Sequence, residues 1–109
     1  MRRASVRALL ASALLVGCGT TDDRPVTFEV VSLEILAPTC GAVQCHSTTT
    51  YLEGLAFDTL DACRESLRGG EAREILEVID EQEMPPDSPM FENDIVLLEQ
   101  WFAAGRPGL

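Results

Sequence analysis

The 109-residue chain contains no lysine and only one histidine, one tryptophan and one tyrosine; its eight cations are all arginine, against 18 Asp and Glu. Three of those arginines, Arg2, Arg3 and Arg7, lie in the first seven residues, so the rest of the chain carries five Arg against 18 acids, a balance of −13. Proteins that bind nucleic acid electrostatically neutralise phosphates with Lys and Arg, and this balance excludes that class. It also excludes electrostatic docking on anionic lipid. No apolar run reaches the ~18–20 residues of a membrane span. With a single histidine, imidazole acid–base chemistry is available only from His46, and no Ser/His/Asp constellation exists. At 46% hydrophobic residues the chain is nevertheless not of disordered composition.

What is present begins with order at the N-terminus. Met1 to Arg7 is a charged segment, Ala8 to Val16 an apolar run broken only by Ser12, and Leu15-Val16-Gly17-Cys18 ends it. The order is that of a secretory signal, too short for a stop-transfer helix. Leu-Val-Gly-Cys resembles the bacterial lipoprotein box, which implies cleavage before Cys18 and lipidation of that cysteine. Residues 1–17 therefore read as a lipoprotein signal peptide, 18–26 as the lipidated Cys and a polar tether, and 27–109 as one domain. Export puts the remaining cysteines in an oxidising compartment.

In the domain, Phe28, Val31, Ile35 and Leu36 recur at helical spacing behind Thr27 as N-cap, and Pro38 is expected to stop the element. Val26, Phe28 and Val30 also alternate, which leaves a short strand open. Cys40 to Gly54 has no periodicity and reads as a loop. Further helices are expected over Thr59 to Leu67, closed by Gly69-Gly70, and over Ala72 to Glu83, ended by Pro85-Pro86. The last is expected from Asn93 as N-cap through Ile95, Leu98 and Phe102 to Gly105. The expectation is an all-α domain of three to four short helices with long loops. A core of this size usually needs a disulfide, a metal or a cofactor to hold it. The acids Glu71, Glu74, Glu77, Asp80, Glu81 and Glu83 follow a helix surface and read as a solvated face, not a calcium site.

Cys40-Gly-Ala-Val-Gln-Cys45-His46 places two thiols and the only histidine within seven residues. Covalent haem attachment ordinarily uses Cys-x-x-Cys-His, in which the imidazole next to the second thiol binds iron. Here four residues separate the thiols, and small Gly41 and Ala42 leave the loop room to bulge. A disulfide, a zinc site or a copper site remain alternatives on spacing alone. Met84-Pro85-Pro86 follows 38 residues after His46; a thioether opposite a histidine is a known axial pair for haem iron. Met90 is the weaker rival, having no proline pair behind it. Cys63 leaves the exported domain with an odd number of thiols and reads as a small buried hydrophobe.

The succession Ile35-Leu-Ala-Pro-Thr-Cys40, Cys45-His46-Ser47, Gly54-Leu-Ala-Phe57, Met84-Pro-Pro86 and Leu98-Glu-Gln-Trp101-Phe-Ala-Ala-Gly105 resembles the small class I cytochrome c domains. The likeness is to those carried by planctomycete and myxobacterial lipoproteins and secreted enzymes, and it covers roughly 28–107. It implies one covalent haem c, with Cys40 and Cys45 forming thioethers and His46 and Met84 as axial iron ligands. It further implies a closing helix, marked by Trp101 and Gly105, packed on the first. The chain departs from that pattern in the wide Cys-x4-Cys spacing and in Gly69-Gly70-Glu71, which replaces a longer Pro-Gly stretch.

What the resemblance implies is an electron carrier, not an enzyme. It would be exported, lipid-anchored on the periplasmic or outer-membrane side, and in contact with the membrane only through that anchor. Its acidic surface calls for a redox partner with a basic docking patch and for no nucleic acid. The alternative from another class is a non-haem structural or copper-binding lipoprotein, with the same fold stapled by a Cys40–Cys45 disulfide.

Overall fold

Thr27 opens the helical part of the chain: its extended backbone turns in, and its hydroxyl accepts from the Val30 N–H at 3.2 Å. The computed structural model describes residues 23–69 and 72–109. The segment expected to be a signal peptide, 1–17, Cys18, most of the expected tether, and Gly70 and Glu71 lie outside the described residues.

The first helix is continuous but of mixed pitch. It runs from α1 (Phe28–Val30) through a π-helical stretch (Val31–Leu36) into α2 (Ala37–Cys40). Pro38 does not stop it, contrary to expectation. The wider pitch shows in the Ala37 N–H, which donates to Ser32 O five residues back, and Pro38 enters α2 in its opening turn, where a missing N–H is least costly. No strand forms from Val26, Phe28 and Val30; Phe28 is buried in the helix and the other two pack partly against the core.

A long loop with one 3₁₀ turn (Leu52–Gly54) leads to α3 (Leu60–Arg68), capped by the Thr59 hydroxyl on Ala62 N–H at 3.1 Å. The next helix, α4 (Ala72–Asp80), stops three residues short of the expected Glu83. Its end is set by the backbone: Gln82 is left-handed, and the Glu83 and Met84 N–H groups both donate to Val78 O. The last helix, α5 (Glu92–Ala103), begins two residues earlier than expected. Phe91 holds the N-cap position without a side-chain bond, while Asn93 sits inside the first turn with its carbonyl oxygen buried and unpaired. The start of α5 is instead tied by Arg24, whose guanidinium donates to Asp94 at 2.6 Å.

The domain is all-α, as its periodicity predicted. α5 packs across the first helix, and α3 touches both the first helix and α4. Trp101, fully buried, lies 6.3 Å from the Phe28 ring, and the Arg64 guanidinium covers that ring from 4.6 Å. Around them close Val31, Ile35, Leu36, Leu67, Leu97 and Leu98. Each such buried side chain contributes about 1.5–3 kcal/mol. The segment after α5 folds back over this core. The Trp101 indole N–H donates to Pro107 O at 3.0 Å, and the Arg106 guanidinium donates to Leu67 O at 2.8 Å, capping the end of α3. Gly108 lies so close to Phe28 that a Cβ there would stand 3.1 Å from the phenylalanine Cβ. Among the described residues no helix is long and apolar enough to cross a membrane.

Candidate functional site

The segment from Cys40 to Phe57 is built almost entirely by hydrogen bonds, because it offers little apolar surface. Cys40 ends α2, and its carbonyl accepts the His46 N–H at 3.1 Å, which closes the bulged Cys-x4-Cys loop on itself. Gly41 makes this closure possible. A Cβ at that position would meet Ala37 O at 2.7 Å and Asp58 Cα at 3.0 Å, so no other residue fits between α2 and the start of α3.

His46 is buried, and its ring is fixed from two sides. Nδ1 lies 2.8 Å from Leu52 O; a carbonyl only accepts, so Nδ1 carries a hydrogen, and in the neutral ring the lone pair is on Nε2. The Phe57 ring meets the imidazole edge-on at 5.7 Å. Main-chain bonds complete the frame: Phe57 N–H to His46 O at 2.7 Å, and Leu52 N–H to Cys45 O at 3.3 Å. Beyond the histidine, the Ser47 hydroxyl donates to Val43 O at 2.9 Å and accepts from the Thr49 and Thr50 N–H groups, and the Thr50 hydroxyl donates to the same Val43 carbonyl. Asp58 holds the Thr48 N–H with both carboxylate oxygens at 3.0 Å and the Thr48 hydroxyl at 2.8 Å. Those donors, the Thr48 N–H first, hold the Asp58 carboxyl below the usual carboxylate range.

Cys40, Cys45 and Cys63 are all free thiols. Cys40 is half-buried, and its thiol is pushed up to about 12, first by burial and then by the neighbouring Cys63 and Cys45 sulfurs. Cys63 is fully buried and its Sγ donates to Phe57 O at 3.4 Å; burial raises its thiol as well. Ser32 faces that sulfur from the first helix, but its hydroxyl makes no hydrogen bond of ordinary geometry. Among the described residues no group of three or more His, Cys, Asp or Glu side chains is placed to hold a metal ion.

Cys40, Cys45 and His46 are thus brought together on one loop; Met84 stands apart from them. It is 37% exposed and lines a cleft of about 310 Å³ with Met90, Ile79, Ile95 and Pro85, and none of the three loop residues reaches that cleft. Sequence reasoning gave no role to Leu52, Ser66 or Asp58, and held Ser47 and Phe57 only as parts of the resemblance. Leu52 acts only through its backbone and so carries no side-chain signal, whereas the Ser/Thr-rich run 47–50 was a readable sign of a loop held by hydroxyls. Comparison of the chain with known protein families, with curated proteins and with solved structures finds no match.

Proposed function

We propose that the chain is an exported, lipid-anchored monohaem c-type cytochrome that carries single electrons. The observation that supports this best is the seating of His46. Its Nδ1–H is committed to Leu52 O, so in the neutral imidazole the other ring nitrogen holds the electron pair, on the same loop as two free thiols. A metal-bound imidazole is ordinarily oriented in this way by an acceptor on its second nitrogen. The donor types suit a covalent haem: Cys40 and Cys45 would hold it through thioethers and His46 would bind the iron, while Met84, which stands apart from them here, would have to close on it as the second axial ligand. When bound, the iron supplies the one-electron change, and the protein's share is orientation, burial and a docking surface.

The chain's own residues serve those ends. Leu52 and Phe57 hold the imidazole in place, and burial of its ring limits water around it. Cys40 is kept a neutral thiol by its surroundings. The net charge of −10 favours a partner with a basic patch, with an association rate that falls as ionic strength rises. Lipidation at Cys18 would hold the carrier to the membrane through acyl chains alone.

The test is a visible spectrum of the protein co-expressed with a c-type cytochrome maturation system, together with haem staining after denaturation. Haem that stays with the denatured chain is the expected result, in membranes for the native sequence and in the soluble fraction for Cys18→Ser. A colourless protein with a Cys40–Cys45 disulfide by mass would overturn the haem assignment and favour the structural or copper-binding lipoprotein.

A further inference from the structure

Among the described residues Cys63 is the one thiol that the proposed cofactor does not use, and it is not an isolated core residue. It sits on α3 three residues before Ser66, so both side chains project from the same face of the helix. That face meets the extended segment after the 3₁₀ turn. The Ser66 hydroxyl donates to Ala56 O at 2.9 Å and accepts from Ala56 N–H at 3.0 Å, which satisfies both backbone groups of a fully buried residue. Cys63 Sγ donates to the next carbonyl, Phe57 O, at 3.4 Å. Phe57 in turn gives its N–H to His46 O at 2.7 Å and its ring edge to the imidazole. An unbroken chain of contacts therefore runs from α3 through two backbone units to the histidine.

We propose that Ser66 and Cys63 are positioning residues for His46: from one face of α3 they clamp residues 56 and 57, the backbone and ring on which the imidazole is seated. The seating belongs to the protein with or without a cofactor; only its service to iron rests on the haem reading. The two clamps are unequal. Ser66 replaces two water bonds of a buried residue, whereas a thiol is a weak donor and Cys63 adds less. Cys63 can donate only while it keeps its proton, and its burial favours that form.

The experiment is amide hydrogen exchange by NMR on the full-length protein, with the Phe57 N–H as local reporter and the Leu98 and Trp101 N–H groups in α5 as reporters of global opening. The chain has one histidine, so its ring resonances are assigned without ambiguity. In Ser66→Ala, Phe57 should exchange at least about tenfold faster relative to the α5 amides, the factor that one lost net hydrogen bond gives a local opening equilibrium. The His46 ring resonances should move with it. Cys63→Ala should give the same pattern at smaller size, and Cys63→Ser, whose hydroxyl can donate to Phe57 O, should restore it.

Overturning the proposal takes a Phe57 amide that tracks Leu98 and Trp101 in every variant while the His46 resonances stay put, because both side chains would then be merely structural. Should Ser66→Ala fail to fold, the Cys63→Ala and Cys63→Ser pair decides by the same readouts. A colourless protein would end the haem reading and leave this measurement unaffected. In haem-loaded protein a reduction potential displaced in Ser66→Ala and in Cys63→Ala, and restored in Cys63→Ser, is the second readout.

Discussion

The two stretches proposed to face a common iron are built on opposite plans. Residues 40–58 are uncharged from Cys40 to Leu52 and tied at nearly every step: Cys45, His46, Leu52 and Phe57 all exchange main-chain bonds, and buried Ser47 alone engages Val43, Thr49 and Thr50. Residues 81–91 are acidic, hold three prolines without N–H groups, and keep Met84 and Phe91 at the surface, the latter 80% exposed. Among the described residues no main-chain hydrogen bond anchors 85–90. A ligand that must be aimed before a cofactor arrives belongs on the first kind of segment. A thioether that closes afterwards is served by the second, since methionine is flexible and its segment is free to adjust. The comparison teaches that preorganisation lies wholly on the histidine side.

The largest effect that this contrast predicts is from Cys40→Ala with Cys45→Ala. Covalent haem staining should be lost completely, whereas any two alanine substitutions in 81–91 should leave it; a stained double-cysteine variant on a denaturing gel would break the contrast at its root. Next comes Met84→Ala. Attachment should survive, because thioethers and His46 hold the haem independently, but the far-red sulfur-to-iron band should vanish and the reduction potential should fall. Met90→Ala should leave both alone, and the reverse outcome would move the ligand six residues along the chain.

Stability should respond in the other direction. Ser47→Ala removes the hydroxyl that engages Val43, Thr49 and Thr50 and should cost about 0.5–1.5 kcal/mol in denaturant unfolding, while Met84→Ala in the unloaded protein should stay below about 0.5 kcal/mol, as surface changes do. Equal costs would show that the loop's hydrogen bonds are dispensable. The smallest effect concerns pH. Asp58 has its folded pKa depressed by the Thr48 donors, so its contribution is present above the ordinary aspartate range and is lost as pH falls through the lower folded value. Wild type should therefore exceed Asp58→Asn in melting temperature near neutral pH, and the two should converge in acid. A gap independent of pH would remove Asp58 as the loop's acid-sensitive tie.

Periodicity made the helices legible: Ile75 and Ile79, or Leu98 and Trp101, fall on buried faces because a 3.6-residue repeat places them there. The ends were less legible. Pro38 signals a stop by local rules, and only the wide turns before it allow the helix to continue; Asn93 is a good cap by composition, yet Arg24, about seventy residues away in sequence, fixes that helix start. In the candidate site, Cys40, Cys45 and His46 were visible as residue types at close spacing. Their support was not, because Leu52 and Ala56 act through peptide groups that every residue has. Phe57 was visible as part of the resemblance, without its place against the imidazole. Ser66 looked like any polar residue on a helix, and nothing in its neighbours announces a bond to a segment ten residues earlier.

The fold-back after α5 sets an order of events. Arg106 supplies the last carbonyl partner of α3, Pro107 receives the Trp101 indole, and Gly108 lies against Phe28 at the very start of the first helix. These three residues join the beginning, middle and end of the described chain. A polypeptide delivered from its N-terminus, through a ribosome or a membrane channel, has Phe28 in place some eighty residues before Gly108 can reach it. Until then the indole lacks its acceptor and the phenylalanine its cover. The loop of Cys40, Cys45 and His46 emerges in that interval, while the core behind it is still unsealed, so its thiols are open to solvent before the domain has finished closing.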